Sequence, residues 1–391
     1  MVILFLYDVN HVAIKPYSHI TIKQYIPNLT MQLLKNTLAI LAIVLILVNC
    51  GKEDPVIVVE QEIEEPTREI KVNFPTNKGF EQLADYNLFV GDIADLRPNT
   101  AAGVIPYDLN TALFSDYASK KRFIYVPEGL AIPFDTTGVL DLPIGSILIK
   151  HFYFPETDGS EKYVETRLFI HKSDGWQAET YEWNPEKRAA KRTVVGGTRN
   201  LTVNANGTTQ TFNYLIPNQN QCKNCHGDSG KISPIGPVVA NLNKDYPYLE
   251  GTLNQLDKWT KEGILQNYGG NIPKFPKIAD TSIDLNTRAR AYLHVNCASC
   301  HSRTGSAANS GLYLEHTNRD SSSIGFFKTP VAAGDGSGGL NYAIVPGHAE
   351  QSILLYRMIS SVIDERMPEI GRELPHEEGI TLIKDWINSM E

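Results

Sequence analysis

Ser146-Ile147-Leu148-Ile149-Lys150-His151-Phe152-Tyr153-Phe154 is dominated by β-branched, aliphatic and aromatic residues, with no glycine or proline to break it. Such a run reads as a strand fitting a pleated, largely buried surface. Arg122-Phe123-Ile124-Tyr125-Val126 upstream and Thr166-Arg167-Leu168-Phe169-Ile170 downstream have the same character. Between Thr202 and Leu215, Asn206-Gly207 separates two more strand-like runs, and that dipeptide suits a tight hairpin turn. No helical periodicity of comparable length interrupts residues 73–216. The segment therefore reads as a β-rich domain of sandwich or irregular-barrel type.

Beyond it the chemistry changes. The chain has five cysteines, and four lie in two Cys-x-x-Cys-His pentads, Cys222-Lys223-Asn224-Cys225-His226 and Cys297-Ala298-Ser299-Cys300-His301. Residues three and four apart share a helix face, so the opening turn of a helix would point two thiols and an imidazole the same way. That arrangement suits haem c: the thiols add to the vinyl groups as thioethers, and the adjacent His ligates the iron. A zinc ribbon, a thioredoxin-like pair and a structural disulfide are the rivals. Zinc ribbons usually separate their pairs by about 15–20 residues. Here 71 residues lie between Cys225 and Cys297.

Leu285, Ala289, Tyr292 and Leu293 fall on one helical face just before Cys297, and Ile380, Ile383, Ile387 and Met390 recur at helical spacing around Trp386. With Val345-Pro346-Gly347, Ser352-Ile353-Leu354-Leu355-Tyr356-Arg357 and Arg366-Met367-Pro368, residues 283–391 resemble a class I cytochrome c module. The resemblance implies that its first and last helices cross to close a haem pocket. Met367 is the expected distal ligand, because Pro368 keeps its predecessor out of the α conformation and so in a loop. Met358 competes, but lies in an apolar helical run where Met commonly fills core.

A first module is read over residues 217–270. No Met occurs between Cys222 and Asp284, which departs from the family pattern. The sixth ligand of its iron is left open among His151, His171, Lys231, Lys244, water or none.

Residues 31–50 run from a basic start at Lys35 through an apolar stretch, Leu38 to Val48, as a signal peptide does. Met31 reads as the true start. Leu47-Val48-Asn49-Cys50 resembles a bacterial lipobox, which implies lipid attachment at Cys50. Lys52-Glu53-Asp54 resembles the signal of surface-directed lipoproteins. Residues 1–49 are thus a leader and 50–72 an acidic tether.

The net charge is -8, and losing residues 1–49 would remove Lys15, Lys23, Lys35 and Asp8, deepening it further. An acidic exported body argues against nucleic acid. The expectation is a multidomain protein, an N-terminal mainly-β domain followed by two small all-α cytochrome c-like haem modules. Such a bacterial di-haem c-type cytochrome lipoprotein would hold two covalent haem c groups, on Cys222, Cys225 and His226 and on Cys297, Cys300, His301 and Met367. It would carry electrons between redox partner proteins on the periplasmic side or outer-membrane surface, bound to the membrane through its lipid. A di-haem peroxidase, or an oxidase or dehydrogenase with its substrate site in the β domain, is the alternative. A third class is a binding subunit whose haems only drain electrons.

Overall fold

The computed structural model describes residues 71–205, 207–266 and 268–391. The leader, Cys50 and all of the acidic tether but its last two residues lie outside them. The described residues belong to one compact unit.

Its centre is a six-stranded antiparallel sheet whose strands follow one another in chain order. They are β1 (Val104–Tyr107), β2 (Ser119–Tyr125), β3 (Ile147–Pro155), β4 (Glu161–Lys172), β5 (Gly175–Trp183) and β6 (Ala190–Thr193). The 146–154 run forms β3, at the middle of the sheet. Alternate side chains go to opposite faces, and both faces are covered. Ile147, Ile149, Leu168 and Ile170 pack under Leu83, Tyr86, Tyr181 and Trp183. Ile124, Leu148, Phe169 and Ala178 face the other way, against Cys222, Leu242, Leu256 and Trp259. A β7 (Gly197–Ala205) and β8 (Thr208–Ile216) hairpin turns at Gly207, whose φ of 75° suits glycine, and packs through Leu201, Phe212 and Tyr214. This is the hairpin marked by Asn206-Gly207. The main sheet is an open meander rather than a sandwich or barrel.

The two all-α modules are not present. Helices α1 (Gln219–His226), α2 (Val239–Leu242) and α3 (Gln255–Lys261) are short and interleaved with two small hairpins, β9 (Gly227–Asp228) with β10 (Lys231–Ile232) and β11 (Asp245–Tyr248) with β12 (Gly251–Asn254). Helices shorter than about 12–15 residues are marginal in isolation. The 217–270 segment therefore buries its apolar side chains in the same core as the sheet. Farther on, α4 (Leu285–Asn296), α5 (Ser321–Ile324), α6 (Ile353–Ile359) and α7 (Glu377–Asn388) gather around Ala289, Leu293, Leu355, Ile383 and Trp386. Gly379 lets α7 close on α4, since a Cβ there would lie 2.5 Å from Tyr292 Cζ.

This helical part does not stand alone. The segment 108–117 crosses from the sheet to every other region. Thr111 N–H donates to Asn241 Oδ1 (2.8 Å), its hydroxyl to Pro276 O (2.7 Å), and Phe114 N–H to Asn296 Oδ1 (2.8 Å). Asp116 Oδ1 accepts from the amides of Glu373 (2.6 Å) and Leu374 (2.8 Å). The family resemblance, to a di-haem c-type cytochrome built of class I-like all-α modules, is therefore withdrawn. That family implies free-standing helical modules, whereas this chain is a mostly β unit with helices folded into it.

Candidate functional site

Pro217 ends β8, and α1 begins with a reciprocal cap. Asn218 Oδ1 accepts from Gln221 N–H (2.8 Å) while Gln221 Oε1 accepts from Asn218 N–H (2.9 Å). The first pentad occupies the last five residues of this eight-residue helix rather than its opening turn. The second follows the end of α4 as a single turn, closed by His301 N–H to Cys297 O at 2.9 Å. The four thiols are free.

The pentads meet. Cys300 Sγ lies 3.4 Å from Asn224 O, and the Ser306 hydroxyl donates to that same carbonyl at 2.7 Å. Ser229 N–H bonds Thr304 O at 3.2 Å. Interaction between Cys225 and Cys300 holds Cys300 down, to about 6, and together with burial pushes Cys225 up. Burial raises Cys297 to about 12.

A cavity adjoins each pentad. One of about 520 Å³ is lined by Cys225, His226, Ser233, Val238 and His294. The other, about 460 Å³, is lined by Cys297, Cys300, His301, Met358 and Met367. Both fall in the range of small-molecule and cofactor sites. His226 Nδ1 bonds Ser233 O (3.1 Å) and His301 Nδ1 bonds Ser310 Oγ (3.2 Å), fixing each ring and leaving Nε2 for a ligand. Burial lowers His226 to about 3, with Lys150 adding, and His301 to about 4, with Arg357 adding. Both imidazoles are therefore neutral, the form that binds metal. In number, the thiols and imidazoles match the vinyl groups and irons of two haems; Cys225, His226, Cys297, Cys300 and His301 line the cavities, whereas Cys222 is buried in the core under the sheet.

Met367 sits in a loop, as Pro368 implies. Arg366 forks onto Glu373 (2.9 and 2.8 Å), Arg372 donates to Arg357 O and Ser360 O, and Met367 N–H bonds Arg357 O at 2.9 Å. Met358 lines the same cavity from α6 but is 7 % exposed and packed in the core.

The upstream histidines fare differently. His151 is fully buried on the sheet face away from α1, against Tyr163 and Trp183, with Nδ1 2.9 Å from Thr166 Oγ1. His171 stacks on Trp176, and its Nδ1 bonds Leu142 O at 2.7 Å. Lys244 is paired with Asp108 at 2.6 Å, and Lys231 is exposed on β10. His294 is the residue the sequence did not single out. It shares the first cavity with His226, and its Nδ1 accepts the His316 amide at 3.3 Å. The only signal was its place one residue off the apolar face of the helix entering the second pentad.

No family model, curated protein or solved structure matches the chain. Among the described residues no group of three or more His, Cys, Asp or Glu is arranged to hold a metal ion. Neither finding restores the family resemblance.

Asp116 ties the Met367 loop to the sheet, and burial pushes its carboxyl up to about 6 against the two amides that favour its charge. Glu373 also raises it and Arg366 lowers it. A carboxyl whose folded pKa is raised makes the folded state bind the extra proton. Its contribution to stability therefore grows as pH falls through 6 and levels off below the ordinary carboxyl value of 3.8. Asp116→Asn keeps the acceptor oxygen and removes the titration. In urea unfolding, the variant's stability relative to the parent should fall by about 1.4 kcal/mol between about pH 7.5 and pH 5, roughly tenfold in equilibrium. A difference that stays flat with pH rejects the assignment.

Proposed function

We propose that each pentad carries one covalent haem c and that the protein passes electrons outside the cytoplasm. On this reading it is anchored by lipid on Cys50 and docks a separate donor and acceptor protein. The observation that supports the reading is the contact of the two Cys-x-x-Cys-His pentads at Asn224, Cys300 and Ser306.

Cys222 and Cys225 would hold one group and Cys297 and Cys300 the other, with His226 and His301 presenting Nε2 to the irons. Bound haem supplies a one-electron iron couple. The residues around it do the rest. Ser233 O and Ser310 Oγ orient the imidazoles, the arginine-clamped loop presents the Met367 thioether, and Leu314 and Ile380 help keep water from the second cavity. His294, which lines the same cavity as His226, would be the further side chain offered to the first group, in preference to His151 and His171.

Met/His ligation raises a haem potential, so the second site should be the more oxidising. In the Met367→His variant, the weak near-infrared absorption of Met-ligated ferric haem should vanish and one of two potentials should fall. If that band persists, Met367 is not the ligand and the role passes to Met358.

A further inference from the structure

His226 and His294 line one cavity, and the hydrogen bonds at their Nδ1 atoms have opposite polarity. His226 Nδ1 meets a carbonyl, Ser233 O at 3.1 Å, which can only accept. The proton of this neutral ring therefore sits on Nδ1, and Nε2 keeps its lone pair. His294 Nδ1 meets the backbone N–H of His316 at 3.3 Å, which can only donate. Its lone pair is therefore on Nδ1 and its proton on Nε2. Turning this ring over would set the amide against a carbon. Phe275 and His316 also hold it edge-on, their ring centres 5.2 and 4.8 Å away. Burial, then His316 and Arg290, lower His294 to about 4, so the ring is neutral and carries a single N–H.

A ring in this form gives a metal no lone pair at Nε2; what it gives is a hydrogen bond to a bound molecule. Nothing else on the wall takes over as a nitrogen or thioether ligand. Among the described residues no methionine, lysine or third histidine lines this cavity. Asp141, Asp228 and Glu315 do line it, with no lysine or arginine beside them. An anion entering would meet carboxyl groups and no countercharge, so the lining favours an uncharged occupant. The cavity, at about 520 Å³, has the size of a small-molecule or cofactor site.

We propose that the first cavity binds a small uncharged molecule that offers one atom to the iron and another to the Nε2–H of His294. Dioxygen, nitric oxide and hydrogen peroxide belong to this class. The inference rests on the haem reading and adds an exchangeable position to it: His226 supplies the metal ligand, and His294 binds the incoming molecule instead of closing the iron.

The test uses reduced holoprotein, carbon monoxide as the probe, and the variants His294→Leu and His294→Gln. Carbon monoxide should bind one haem per chain, with a saturable change in the visible spectrum. A hydrogen bond at its oxygen weakens the C–O bond, so the C–O stretch should rise in His294→Leu, which has no donor. It should return toward the parent value in His294→Gln, whose amide N–H replaces the imidazole's. A purely structural role for the ring would not give that return. Nitrogen-15 spectra of the histidine rings should show His294 protonated on Nε2, whether or not the chain carries haem. A haem-bearing chain that takes no carbon monoxide, a stretch indifferent to His294→Leu, or a proton on Nδ1 of His294 overturns the proposal and leaves the haem reading standing. A colourless chain ends the haem reading and the ligand site with it, so the two failures are told apart.

Discussion

Replacing Cys222 and Cys225 together with alanine is expected to remove one of two covalent haems per chain. Replacing Cys297 and Cys300 should remove the other, and the fourfold variant should be colourless. The loss is all-or-none at each pentad because a haem with no thioether is not retained through denaturation, whatever its iron binds. Haem-stained denaturing gels and haem absorbance per chain read this directly. A colourless parent protein from cells with active haem maturation would end the electron-transfer reading. The contact between Cys225 and Cys300 would then point to a thiol pair joining the two pentads.

The second large effect is structural. Trp259 is fully buried where α3 meets the sheet, edge-on to Tyr107 at 5.6 Å. Truncating a buried Trp to Ala costs about 3–5 kcal/mol, a large share of a typical domain's stability. In a chain of separable modules, Trp259→Ala would loosen only its own. In this unit, hydrogen exchange should accelerate by the same factor in β4 and in α7, because segment 108–117 couples both to the core. Acceleration confined to the 217–270 segment would show independent modules after all.

The strands were legible because residues such as Ile147, Ile149 and Phe152 carry a local preference that the tertiary structure reinforces. The β7–β8 turn was legible because Gly207 reports a backbone geometry directly. The pentads and the loop setting of Met367 were legible because their chemistry is written in adjacent residues. What failed was partition. Nothing local to Leu256 or Trp259 says that its apolar face will lie on Leu148 and Phe169, more than eighty residues upstream, rather than on a helix of its own. His294 was missed for the same reason, since its pairing with the first cavity is a tertiary fact.

The stitching by residues 108–117 also sets an order of events in biogenesis. This segment is synthesised early, yet its partners at Asn241, Asn296 and Leu374 emerge far later. Contacts so distant in sequence form slowly. Until they form, nothing brings the two pentads together; afterwards Cys222 is buried in the core. On the proposed haem reading, late closure would give attachment its window, and a chain that closed early would lose it.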